Sequence, residues 1–295
     1  MSEPGAEEER AVAPASSRSG KRPGTMGVVV LLLGLALLAG TTAVMQVSRR
    51  QRNRPQPPQV DPQVRQAVVS LGEQMARGMP EEAQAIVQAM SAGLMAMDRE
   101  RLLQTLIGMS AELSEQGGTE AARREAWMPV LYLAEQIDDG RMTPALLAAA
   151  RRECRHSTRC AAQVLMTVGN LRDPTAAASL RKTAVSDDHP MSVRIAAAYG
   201  LCRLSGDRGS STPDYLKYFG FILYQAESPL GEDSRPIILH ALSDLGDRRA
   251  EPALRRLHSR VESPYKEQIE HMLAALGAPA PEEPSEPATP NGESP

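Results

Sequence analysis

Aromatic side chains are scarce in this chain, at 3% of 295 residues, and no convincing run of alternating β-branched residues occurs. Strands are written with those residue types, so a β-sandwich or barrel is excluded. Cysteine is sparse as well: Cys154, Cys160 and Cys202 form an odd set without CxxC or zinc-type spacing. That argues against a zinc module and leaves free thiols buried in Ala-rich helical text. A Cys154–Cys160 disulfide would require an oxidising compartment. No HExxH, P-loop, GxGxxG or GxSxG pattern is present, and His156, His189, His240, His258 and His271 each stand at least 13 residues from the next. No catalytic, cofactor-binding or metal-binding residue is therefore assigned. A duplex-binding basic stripe is also missing. The nearest thing to one, Arg248, Arg249, Arg255, Arg256 and Arg260, has the make-up of a solvated helix face. No nucleic-acid partner is expected.

What the chain does have is helix-forming material. Apolar residues make up 42%, dominated by alanine, leucine and methionine, and arginine is frequent. The expected fold class is all-α. A spaced signal supports it: apolar helices end at Ile137, Leu171, Leu204, Leu245 and Leu276, at intervals of 34, 33, 41 and 31 residues. Small or apolar partners lie three and seven residues before each mark, such as Ala134 and Val130, or Leu242 and Ile238. This is one stripe of a 3.6-residue period, repeated. A spacing near 34 residues points to stacked helix pairs, each burying its face against its neighbours.

Net charge is −3, but its distribution is uneven. Residues 1–60 carry eight basic and four acidic side chains, the last eighteen carry four glutamates and no base, and the remainder is close to neutral. From Pro23 to Ser48 there is no charge at all. Residues 26–47 are expected to form a transmembrane signal-anchor, because twenty-two helical residues span ~33 Å against a hydrocarbon core of ~30 Å. The alternative is a cleaved signal peptide ending at Ala43, against which stands the continuation of the apolar stretch past that site. Three basic residues precede the span and four follow, a one-charge lean toward a cytoplasmic C-terminal domain. A single N-terminal anchor with a short tail commonly leaves the large domain outside, and the outside is the expectation taken here.

Around this segment, residues 1–22 are expected to be a disordered tail and 48–60 an extended Arg/Gln/Pro linker. Asp61-Pro62 begins structure as a cap and first helical residue. Residues 61–118 then carry three helical stripes: Val64, Val68, Leu71 and Met75; Ala83, Ile86, Val87, Met90 and Leu94; Leu102, Leu106, Met109 and Leu113. This stretch does not fit the later register and is expected to be an N-terminal helical cap or small bundle. Residues 119–277 are the expected repeat domain, punctuated by Asp173-Pro174, His189-Pro190, Thr212-Pro213, Glu251-Pro252 and Ser263-Pro264. Pro129 is expected to kink or break the helix opened by Thr119. Residues 278–295 are an acidic, Pro-rich tail, expected to be disordered.

Within the repeat domain, Val193-Arg194-Ile195-Ala196-Ala197-Ala198 with Leu201 and Leu204, and Leu245-Gly246-Asp247-Arg248-Arg249-Ala250-Glu251-Pro252-Ala253-Leu254, resemble HEAT-like repeats of the short, Ala-rich phycobilisome-lyase type. Leu171-Arg172-Asp173-Pro174 with Leu180 is a looser copy. The resemblance covers about residues 125–277. It implies a right-handed α-solenoid of helix pairs, here preceded by the cap and the membrane helix. It implies little about activity. The His-Glu dipeptide that iron-dependent hydroxylases on this repeat use is absent.

The function expected is a membrane-tethered scaffold or adaptor that binds a protein partner through its repeat surface. A chromophore-lyase-like enzyme is the alternative, and a structural spacer a third reading. The candidate partner-binding residues are Tyr215, Tyr218, Phe219 and Tyr224, which concentrate aromatic side chains on one helix, with packed core as the plain alternative. Met75, Met79, Met90, Met95, Met97 and Met109 are a second candidate, either an adaptable groove or core filler. Asp138-Asp139 and Asp187-Asp188 fit helix caps rather than an acid/base pair.

Overall fold

The computed structural model describes residues 60–77, 81–206, 209–228 and 233–278. The expected tail 1–22, the span 26–47, nearly all of the linker 48–60 and of the tail 278–295, and Met79 lie outside them. Among the described residues there is no strand, and no helix is long and apolar enough to cross a membrane.

Twelve α-helices follow in order among those residues. They are α1 (Pro62–Ala76), α2 (Glu81–Met95), α3 (Arg99–Glu115), α4 (Glu120–Ile137), α5 (Met142–Glu153) and α6 (Thr158–Asn170). Then come α7 (Ala177–Val185), α8 (Met191–Ser205), α9 (Pro213–Glu227), α10 (Arg235–Leu245), α11 (Glu251–His258) and α12 (Tyr265–Ala275). Their starts are where short polar side chains satisfy free backbone N–H groups. Asp61 accepts from Gln63 and Val64, Asp98 from Glu100 and Arg101, Thr119 from Ala122, and Ser157 from Cys160. Pro129 does not break α4, which runs through it unbroken. Its ring instead packs against α1 at Gly72, where an added Cβ would meet Pro129 Cγ at 2.9 Å.

The helices stack as pairs: α3 with α4, α5 with α6, α7 with α8, α9 with α10 and α11 with α12. The five stripe helices are the second members, and α1, α4, α6, α8 and α10 pack in sequence to form one layer. The first pair takes α3 from the stretch 61–118, while α2 packs chiefly on α1. One core cluster runs from Val64 to Leu273. Every residue of the five repeated stripes is buried except Leu204 and Leu276, which are half-buried against the same core.

The repeat is also visible in the turns. After Ile137, Leu171, Leu245 and Leu276 the next residue adopts left-handed φ: Asp138 at 48°, Arg172 at 49°, Gly246 at 54° and Gly277 at 73°. Gly fits that conformation freely, and Asp and Arg hold it at some cost. In three of these turns an aspartate then accepts from the backbone N–H two residues on: Asp139 from Arg141, Asp173 from Thr175 and Asp247 from Arg249, at 2.9–3.0 Å. Successive turns touch, since a Cβ on Gly140 would meet Asp173 Oδ2 at 3.2 Å.

Candidate partner-binding surfaces

Helix α9 does not present its aromatics as a surface. Tyr215, Tyr218 and Phe219 are buried, and only Tyr224, at 68% exposed, faces solvent. Tyr215 stacks on Phe219 at 5.6 Å, and the Arg249 guanidinium lies over both rings at 5.5 and 5.6 Å. The Tyr215 hydroxyl donates to Asp247 Oδ2 at 3.0 Å, while Arg249 donates to Asp247 and to the Ser210 carbonyl. The cluster therefore fastens the loop before α9 to the turn before α11. Burial works against the Asp247 charge, yet the Arg249 side chain and backbone N–H hold its carboxyl below the usual range. Burial and the neighbouring Asp247 push the Tyr215 hydroxyl up. Three of the four expected contact residues are thus core, because a helix wedged between α8 and the later helices turns its large rings inward.

Three further arginines near α11 are engaged as well. Arg255 pairs with Glu251 at 3.0 Å, Arg256 with Glu227, and Arg260 donates to the Glu227 carbonyl at 3.3 Å. Asp187 pairs with Arg194 at 2.6 Å and serves as no cap.

Two polar features tie neighbouring pairs together, and sequence reasoning missed both. Glu153, fully buried on α5, accepts from Trp127 Nε1 at 2.8 Å and from Arg123 Nε at 3.1 Å. Arg123 also donates to the Gln116 carbonyl, which joins the α3–α4 connection to α5. Along the stripe layer, Glu135 on α4 accepts from Thr167 and Asn170 on α6, and the α8 Tyr199 hydroxyl meets Asn170 and Asp244 of α10. Burial and Asp244 push the Tyr199 hydroxyl up. Apart from the Arg123–Gln116 bond, both sets join residues more than 25 positions apart, so no local spacing announces them. Their groups are occupied with one another and make a polar frame between neighbouring helix pairs.

An open concavity lies elsewhere, between α1, α3 and α4, with a volume of about 520 Å³. Small residues contribute to its lining: Gly72 and Ala76 from α1, and Ala122 and Ala126 from α4. Met109 and Leu113 from α3 and Val69 from α1, itself 41% exposed, supply apolar lining. The rim is charged with both signs, Arg65, Arg77, Glu73 and Glu125, and Arg65 pairs with Glu112 of α3 at 3.1 Å. Of the methionines, Met109 lines this groove, Met75, Met90 and Met97 are half-buried against the core, and Met95 is exposed on α2. The sequence hint was the pairing of small residues on α1 with those on α4, which is recognisable only once the two helices are known to touch.

Among the described residues no group of three or more His, Cys, Asp or Glu side chains could hold a metal ion. Cys154, Cys160 and Cys202 are unpaired, and burial pushes the Cys202 thiol up to about 12, far from a reactive thiolate.

Fold and surface together define an all-α protein of stacked helix pairs, consistent with a generic helical-repeat arrangement, that offers an apolar groove with a charged rim. Compared with known protein families, curated proteins and solved structures, the chain matches none.

Proposed function

We propose that the chain is a membrane-tethered helical-repeat scaffold that holds an amphipathic helix of a protein partner in the groove between α1, α3 and α4. The groove carries this reading. Its volume, about 520 Å³, accommodates a few anchoring side chains. Its apolar lining suits the hydrophobic face of a helix, and its rim of both charge signs suits the polar flanks. The uncharged stretch 26–47 serves as the anchor, the Arg/Gln/Pro linker as the spacer, and the HEAT-like, right-handed pairs as a rigid support outside the cytoplasm.

The test is site-specific photo-crosslinking from the groove rim in intact cells expressing the full chain. A photoreactive residue at Glu73 is expected to yield a discrete adduct, and the same residue at the exposed Gln268 on α12 is not. Ala126→Leu, which fills the groove, should remove the adduct while leaving the melting temperature unchanged within about 2 °C, since the side chain enters open space. An adduct that survives Ala126→Leu refutes the groove as the binding site. Protease shaving of a C-terminal tag in intact cells tests the tether and its orientation separately.

A further inference from the structure

Charge is unevenly placed along the stack. From Met142 to Ser186 seven basic residues stand against two acidic ones, while the rest of 61–277 carries 26 acids against 18 bases. Four of the seven, Arg151, Arg152, Arg155 and Arg159, fall with His156 inside nine residues around the turn from α5 to α6, and all five are exposed. The one carboxylate among them does not neutralise them, because Glu153 is fully buried and bound to Arg123 and Trp127. Arg151 and Arg152 make only loose contacts, to the Ser179 and Ser114 hydroxyls at 3.3 and 3.2 Å and to the exposed Glu115 at 3.9 Å. Arg155 and Arg159 pair with no carboxylate among the described residues.

Helix stability explains only part of this cluster. Arg151 and Arg152 occupy the last turn of α5, where a cation offsets the helix dipole. Arg155 lies beyond that helix, and Arg159 stands in the first turn of α6, which holds no acid. A cation at that end opposes the dipole, so Arg159 weakens the helix that carries it. A side chain that breaks a local rule with no structural return is expected on a functional surface.

We propose that the α5–α6 turn is a docking site for a short acidic segment of a protein partner. Charge complementarity selects an anionic occupant, and the neighbouring turns limit its width. The contacts of Arg152 with Ser114 and of Arg151 with Ser179 place α3 and α7 on either side of the end of α5. Glu115 and Glu120 are exposed at the α3–α4 turn, and Asp188 at the α7–α8 turn. A bilayer or a duplex laid across the basic turn would bring its phosphates against those three carboxylates as well. A narrow acidic segment meets the arginines alone, and each guanidinium fork can take one of its carboxylates through two hydrogen bonds. Residues 151–159 contain no aromatic ring on which a nucleobase would stack. None of them lines the groove between α1, α3 and α4, so the two sites are tested separately.

The experiment follows the fluorescence anisotropy of a fluorescein-labelled peptide of alternating glutamate and glycine, titrated at low salt with the full-length chain in discs of zwitterionic lipid. Arg155→Glu combined with Arg159→Glu should weaken binding at least about tenfold. Lys217→Glu combined with Arg248→Glu changes the net charge equally at exposed positions elsewhere, and should weaken it less than about twofold. Circular dichroism melting checks each fold. If the first pair lowers the melting temperature, Arg159→Glu alone carries the test, since an acid suits the first turn of α6 and should not destabilise it. Its expected loss of affinity is about threefold. Equal loss for both pairs, or no binding of the peptide by the parent, overturns the proposal. So does tighter binding of vesicles containing phosphatidylserine, or of a DNA duplex, that the same reversal removes. A chain lacking residues 279–295, which hold four glutamates, should bind the peptide as the parent does. A gain of about tenfold on that deletion would assign the turn to the chain's own tail and overturn a partner segment.

Discussion

Replacing Gly169 by alanine should drive apart the helices at the centre of the stack. Gly169 on α6 faces Gly200 on α8, and a Cβ at 169 would stand 2.5 Å from Gly200 Cα and 3.3 Å from Gly200 N. Those are backbone atoms, so no rotamer change relieves the contact and the two helices must separate. Alanine gains ~1 kcal/mol of helix propensity over glycine. Overpacking a filled core costs ~1–3 kcal/mol, and opening a crossing flanked by the fully buried Tyr199 and Leu180 forfeits dispersion as well. The net expectation is a loss of ~2 kcal/mol, or ~4–8 °C in melting temperature for a domain of this size. Gly220→Ala on α9 supplies the contrast. Its Cβ would meet nothing within 4 Å, so it should stabilise by ~1 kcal/mol. Gly200→Ala falls between them, since its nearest neighbour is the movable Leu180 Cδ1 at 3.0 Å. Urea unfolding followed by circular dichroism and by the fluorescence of Trp127, the sole tryptophan, measures all three. If Gly169→Ala were as stable as the parent within about 0.5 kcal/mol, the close crossing of α6 and α8 would be refuted.

Further outcomes concern the polar frame and the core. Arg123→Ala leaves the buried Glu153 carboxylate without its ion pair and should cost ~3–5 kcal/mol, with a shift in Trp127 emission; a loss under about 1 kcal/mol would contradict the clasp. Arg141 donates to Asp139 and holds its carboxyl at about 2, below the ordinary 3.8. The stability Asp139 contributes is therefore present above about pH 4 and lost as pH falls toward 2. The difference between parent and Asp139→Asn should close across that window, and a difference unchanged down to pH 2 would argue against the Arg141 contact. Leu201→Asp places a carboxylate at a position 2% exposed and should remove several kcal/mol of a total of ~5–15, read as loss of helical circular dichroism at ambient temperature.

Helix positions were legible because their causes are local. Asp61, Asp98 and Thr119 cap where their side chains reach the next turn, and Pro174, Pro190, Pro213, Pro252 and Pro264 stand at or near helix starts. The 3.6-residue stripes named the buried faces of the five second helices correctly. They failed at Ile86, half exposed, because among the described residues α2 packs chiefly on α1 and its hydrophobic pattern is wider than the row buried there. The break expected as one outcome at Pro129 did not occur, for a related reason. A proline ends an isolated helix, but here the ring gains contact with Gly72 of α1, a partner 57 positions away that local reading cannot supply.

The aromatic helix marks the limit most plainly. Its composition fits a packed core more readily than an exposed contact patch but allows both, and only the position of α9 among its neighbours made Tyr215, Tyr218 and Phe219 core and left Tyr224 outside. By itself, then, the sequence determined the all-α class, the repeat interval, and the caps and turns, each a matter of a few adjacent residues. The tertiary structure decided which apolar residues have partners, where small side chains on different helices open a groove, and which charges are already satisfied. Those outcomes depend on contacts between residues tens of positions apart, and no local pattern encodes them.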